Sequence, residues 1–158
     1  MKIFLVASFI ALLVGPLMLS KPMADGQSLS LTQERHLANI RQLTFGGKNA
    51  EAYFSFDGKK LIFQATRDGF QCDQIFVMNV DGSDIRLVSS GKGQTTCAYF
   101  FPDGERILYS STHHLHPDCR PAPPRAKRFI WPLHPYEIFT SKIDGSDLKQ
   151  LTFTGDYN

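Results

Sequence analysis

The chain has 158 residues, of which 42% are hydrophobic and 20% charged, and its formal net charge is +2. That is long enough for one domain of ordinary size and too apolar for a disordered polypeptide. The charge is too small to leave the electrostatic footprint of a nucleic-acid binder.

The first 24 residues stand apart. Lys2 is followed by IFLVASFIALLV, an apolar run without charge, then Gly15-Pro16 and small residues up to Ala24. A basic start, an apolar core and a small-residue exit describe a secretory signal peptide over 1–24. The competing reading is an uncleaved anchor, since residues 3–19 are almost long enough to span a bilayer. Gly15-Pro16 breaks the helix where a cleavage region begins, which favours removal. Cleavage predicts a periplasmic or secreted protein with no membrane insertion. Lys2 and Lys21 leave with the peptide, so 15 basic residues then balance 15 acidic ones.

After a lead-in over 25–39, the chain repeats itself. A couplet followed by glycine occurs as LTFG (43–46), LVSSG (87–91) and LTFTG (151–155). An aromatic strand ending in Asp-Gly and rebounding occurs as YFSFDGKKLIF (53–63) and YFFPDGERILY (99–109). A third phrase, IFVMNVDGSDI (75–85), returns as IFTSKIDGSDL (138–148). The order is constant: aromatic strand, Asp-Gly, apolar strand, loop, IF strand, DGSD, short strand, glycine. The couplets start 44 and then 64 residues apart, and an insertion over 112–135 accounts for the longer interval. A period in the forties with four strands per unit is the signature of a propeller blade.

The pieces have physical reasons. Asp-Gly at 57–58, 81–82, 103–104 and 144–145 supplies positive φ for tight hairpins. The runs LIFQAT, IFVMNV, RILYSS and EIFTSK are aromatic and β-branched, as strands prefer. With strands a to d counted from the axis outwards, blade one (50–89) is a 50–56, b 60–66, c 74–80 and d 85–89. Blade two (95–153) is a 95–101, b 105–111, c 136–143 and d 148–153. IRQLTF (40–45) matches strand d with no a, b or c before it. The predicted class is therefore all-β: about two four-stranded antiparallel propeller blades plus an orphan outer strand. Two blades are fewer than the four to eight a propeller typically needs. This predicts a fragment of a longer propeller, or a chain that other copies complete.

The phrases SFDGKKLIF and FPDGERILY, each followed by a strand and a DG-x-x-x-x-L-T/V phrase, resemble the WD40-like PD40 repeat of the TolB-like periplasmic protein family. The resemblance covers 40–158. Phe56 stands where the repeat usually has proline, whereas Pro102 fits, and the insertion is unusual. The resemblance implies a non-catalytic exported propeller that binds or scaffolds proteins or peptides. The alternative it carries is the N-terminal propeller of a prolyl-oligopeptidase-type peptidase, gating a hydrolase domain. Further blades would then be among the partners.

Three cysteines in an exported chain imply one bridge and one free thiol, or an intermolecular pair. Cys72 and Cys119 fall in b–c loops and Cys97 at the entrance to a strand a, all on one face of the disc. The preferred bridge is Cys97 to Cys119, with Cys72 to Cys97 as runner-up. In THHLHPDC, His113, His114, His116 and Cys119 are weak metal candidates. Their spacing matches no standard zinc motif, and adjacent histidines on an extended chain point apart. The expectation is no metal and no cofactor. The insertion carries Arg120, Arg125, Lys127, Arg128, Phe129, Ile130 and Trp131. Of these Arg125, Arg128, Phe129 and Trp131 are interaction-loop candidates, since aromatic and arginine side chains favour binding surfaces; the competing reading folds the aromatics back over the blade's own core. Asp68 and Asp73 read as solvated turn acids rather than cation ligands. No G-x-S-x-G elbow and no H-E-x-x-H occur, and no catalytic residues are expected.

Overall fold

The computed structural model describes residues 36–120 and 133–157. The expected signal peptide, most of the lead-in, and Arg125, Lys127, Arg128, Phe129, Ile130 and Trp131 lie outside them. The chain divides after Arg41, and the fold considered below belongs to the unit Gln42–Asn158.

Blade one is β1 (Lys48–Phe54), β2 (Lys60–Thr66), β3 (Gln74–Asn79) and β4 (Arg86–Leu87). Blade two is β5 (Thr95–Phe100), β6 (Arg106–Ser111), β7 (Glu137–Lys142) and β8 (Lys149–Gln150). Each is a four-stranded sheet in sequential order, with every neighbouring pair antiparallel. The described residues contain no helix. The expected strands are present with their ends shifted by up to three residues, except that in the orphan strand expected at 40–45, residues 42–45 carry no regular strand pairing.

The registers make the repeat literal. Tyr53 opposes Ile62 as Tyr99 opposes Leu108, and Phe63 opposes Phe76 as Tyr109 opposes Phe139. Both first strands carry a bulge, between Ala50 and Tyr53 and between Thr96 and Tyr99. In each bulge a non-glycine residue takes a left-handed backbone, Glu51 at φ 52° and Cys97 at φ 51°. All four Asp-Gly turns close alike. The aspartate Oδ1 accepts the N–H two residues on, at 2.9 to 3.1 Å, in Asp57, Asp81, Asp103 and Asp144. The following glycine has φ between 68° and 87°. Aspartate is thus chosen for its acceptor as well as for its place before glycine.

Alternation sends side chains to opposite faces of each sheet. From blade one, Ile62, Ile75, Val77 and Val88 pack with Ala98, Phe100, Ile107, Tyr109 and Phe139 of blade two. This is the interblade core, and each such buried side chain contributes roughly 1.5–3 kcal/mol. On the other face of blade one, Leu61, Phe63, Ala65, Phe76 and Met78 pack beneath Leu43, Phe70, Ile85 and Leu87. Arg67 lies over the Phe76 ring, 5.6 Å from its centroid, and closes one end of that layer.

Candidate functional site

The two b–c connections and the d–a connection emerge on one face of the blade pair, and hydrogen bonds fuse them. The Thr95 N–H and hydroxyl both donate to the Asp73 carbonyl, at 3.1 and 2.9 Å. The Gln74 amide donates to the Gly93 carbonyl at 2.9 Å, and the Gly93 N–H donates to the Pro117 carbonyl at 2.6 Å. Gln94 and Thr112 exchange bonds, the Gln94 N–H to the Thr112 hydroxyl and the Thr112 N–H to the Gln94 carbonyl. Gly93 has no substitute: its φ is 65°, and an added Cβ would lie 2.8 Å from His113 backbone atoms and from the His116 carbonyl.

A disulfide joins Cys72 to Cys119, with Cα atoms 5.5 Å apart, and Cys97 is free and exposed. This corrects both expected pairings, Cys97–Cys119 and Cys72–Cys97. The reason is the bulge. It turns Cys97 toward the Glu51 carboxylate, 3.7 Å from its sulfur, while the two b–c connections meet each other across the blades. The bridge therefore ties blade to blade.

Beside Cys97, Gln64 links the blades. Its amide donates to Asp73 at 3.1 Å, and its Oε1 accepts from the Thr96 hydroxyl at 2.9 Å and the Cys97 N–H at 3.2 Å. The Thr66 hydroxyl donates to the other Asp73 oxygen. Asp73 is thus a cross-brace rather than a solvated turn acid, whereas Asp68 pairs with Arg67 at 3.2 Å. Toward the inner edge the Tyr53 and Tyr99 rings meet at a 36° tilt, centroids 4.5 Å apart. The bond to Tyr99 and the neighbouring Glu51 charge push the Tyr53 phenol up to about 12.

The histidines are structural. His113 Nδ1 bonds the Ser111 hydroxyl at 2.7 Å, and its ring lies 4.3 Å from Phe139. Burial, then the His114 and Lys92 charges, hold its pKa below the usual imidazole value. His114 packs on the same ring at 5.8 Å, and the His116 N–H donates to the Thr112 carbonyl. Cys119 is spent in the disulfide. Among the described residues no three His, Cys, Asp or Glu are placed to hold a metal ion.

Where the insertion leaves and rejoins the blade, Arg120 reaches His134 at 3.4 Å, and His134, Tyr136 and Tyr157 follow at ring spacings of 6.2 Å. Leu115, Leu133 and Tyr157 are exposed there. Glu137, buried at the start of β7, accepts from Thr152, Thr154 and Gly155. Burial works to raise its pKa, but the Thr152 hydroxyl, the Gly155 N–H, His114 and Thr154 outweigh it and hold the carboxyl below the usual range. Gln74 occupies the same place in blade one and bonds Ser89 instead. Sequence reasoning missed Gln64, Glu51, Tyr136 and Glu137. Laying the two blades over each other would have paired Glu51 with Cys97 and Gln74 with Glu137, the one signal available.

Repeated four-stranded antiparallel sheets packed face to face define the blades of a β-propeller. Comparison with solved structures agrees. The chain is similar to a structure assigned as TolB from Agrobacterium tumefaciens, with 24% identity, TM-score 0.54, and 71% of this chain matching 36% of that one. TolB from Acinetobacter baumannii is similar at the same identity and TM-score, 76% of this chain matching 25% of that one. The chain thus spans about a third or less of the length of these structures, with which it shares the fold. No protein-family model and no curated protein matches it.

Proposed function

We propose that this protein is a non-catalytic, exported propeller unit whose loop-bearing face binds a protein or peptide. The observation that carries the reading is the investment of covalent and polar bonds in that face. The Cys72–Cys119 bridge, Gly93 and Asp73 hold three connections rigid, and the insertion springs from them. Rigid scaffolds with projecting loops are where binding residues concentrate. The acids and histidines of the face are tied into the frame, Asp73 to Thr66 and Gln64, Glu137 to Thr152 and Gly155, His113 to Ser111. This favours recognition over chemistry. Export is supported by the disulfide, which persists in oxidising compartments, and by the signal-like first 24 residues. The arginines and aromatics of the insertion, Arg125, Arg128, Phe129 and Trp131, are the proposed contacts.

Photo-crosslinkers placed at Leu115 or Tyr157, on the loop face, should capture one defined polypeptide in the cell envelope. The same group at Asp57 or Asp144, in turns at the opposite end of the strands, should not. Equal capture from both ends, or none from the loop face, would refute the reading.

A further inference from the structure

The joint beneath the loop face is built twice, with different chemistry. The shared registers place Arg67 and Asp68 of blade one where blade two has His113 and His114. The rings below them correspond too. Arg67 lies over Phe76, 5.6 Å from its centroid, and the His113 and Phe139 ring centroids are 4.3 Å apart. A glycine from the preceding connection presses on each joint. An added Cβ on Gly47 would meet the Thr66 carbonyl at 2.8 Å and the Arg67 Cβ at 3.0 Å, and one on Gly93 would meet the His113 backbone at 2.8 Å. In blade one the cation is permanent and its neighbour is an acid: Arg67 pairs with Asp68 at 3.2 Å. In blade two both members are imidazoles, the side chain whose charge changes in mild acid.

The hydrogen bonds of the second joint suit a neutral imidazole. His113 donates its backbone N–H to the Ser111 hydroxyl at 3.2 Å, and the same hydroxyl lies 2.7 Å from Nδ1. An oxygen that accepts the N–H can turn its own proton to Nδ1, which assigns the ring proton of neutral His113 to Nε2. Ser111 is 0% exposed. Once Nδ1 is protonated it becomes a second donor to that oxygen, and the buried Ser111 proton loses its acceptor, a costly state. His114 packs on the same ring, and both its nitrogens are buried with no hydrogen-bond partner among the described residues. Two charged groups face the pair from other elements, Lys92 from the d–a connection and Glu137 from β7. Glu137 faces His114, whereas the groups that face His113 are His114 and Lys92, both basic. Further along, Arg120, His116 and His134 form a second basic group, and Asp118 is exposed.

We propose that His113 and His114 form a pH switch: when neutral they clamp the d–a connection onto the b–c connection of blade two, and when charged in mild acid they release it. The contacts at stake are the Gly93 N–H to the Pro117 carbonyl and the exchange between Gln94 and Thr112. His113 sets the direction. Burial first, then His114 and Lys92, hold its folded value below the unfolded one, which is about 6.5. Its stabilisation is therefore whole above about 6.5 and is lost as the pH falls from there towards the folded value. The Cys72–Cys119 bridge keeps the blades tied while the connection loosens. Blade one, whose joint holds no imidazole, is the internal control.

Amide hydrogen exchange of the whole chain, corrected for the intrinsic effect of pH, tests this between about pH 7.5 and about pH 5.5. Gly93, Thr112, Leu115 and His116 all donate their N–H groups within the joint. Their protection should fall about fivefold or more, as an orphaned buried donor implies. Phe70, which donates to the Arg67 carbonyl in blade one, should keep its protection. In the unmodified protein the loss should share its midpoint with the titration of the His113 ring resonances. His113→Asn, whose Oδ1 accepts the Ser111 proton at any pH, should abolish the loss, with an intact bridge and an unchanged far-UV spectrum certifying the fold. Protection indifferent to pH, an equal loss at Phe70, a midpoint away from that of His113, or a loss that survives His113→Asn would each overturn the switch.

Discussion

Ile62 and Leu108 hold the same place in their sheets, each opposite a tyrosine of the innermost strand. Ile62 is sealed in the interblade core and Leu108 is half-exposed. The two blades share turns, bulges and registers, so the local code is the same in both. Burial differs because only one of the two faces has a blade against it within Gln42–Asn158. A repeat therefore specifies an interface twice, and neighbours decide which copy is used.

The largest test removes the tie between the blades. Cys72→Ala with Cys119→Ala should cost about 4 kcal/mol on the chain-entropy model, read as a drop in the urea midpoint. Cys97→Ala should move that midpoint far less, since it gives up one exposed thiol contact to Glu51 and no covalent tie. Next comes the comparison itself. Ile62→Ala should cost about 3 kcal/mol and Leu108→Ala about 1 kcal/mol in the same titration; equal costs would erase the distinction between the two faces. Glycines sharpen it further. Gly93→Ala should cost about 2 kcal/mol through backbone strain and close contact, against about 1 kcal/mol at Gly104, where φ is 71° but space is open.

The smallest effect is the acid sensitivity that Glu137 adds to blade two, where blade one has the neutral Gln74. Glu137 is depressed in the folded state, so its contribution is present above the unfolded carboxylate value of about 4.3 and fades as pH falls through the lower folded value. Glu137→Gln, which restores the side chain that blade one uses, should flatten the stability profile below pH of about 4. A profile unchanged by that substitution would assign the acid sensitivity elsewhere, with Asp57, Asp144 and Asp147, also depressed by their hydrogen bonds, as the next groups to replace.

Much of this fold is legible in the sequence because its signals are local. Asp-Gly at 57–58, 81–82, 103–104 and 144–145 marks hairpins whose geometry needs only residues two or three apart. The aromatic and β-branched runs LIFQAT and RILYSS mark strands. The pairing of cysteines was not legible. The sequence sets Cys72 and Cys119 in b–c connections and Cys97 at the entrance to a strand a, but their partners depend on a bulge that redirects Cys97. The bulge leaves no local mark beyond the fact that Glu51 and Cys97 occupy equivalent positions. The cross-brace of Gln64, Asp73 and Thr96 was hidden for the same reason: its members come from three segments that only packing assembles.

What the amino-acid sequence determined by itself was the unit: four strands, their turns and their order, twice over. Those follow from backbone preferences and side-chain period, which act within a few residues. What the tertiary structure decided was the neighbour of each face, the partner of each sulfur, and the fate of each buried acid. Those depend on distances between segments far apart in the chain, where desolvation and shape, rather than local preference, set the free energy.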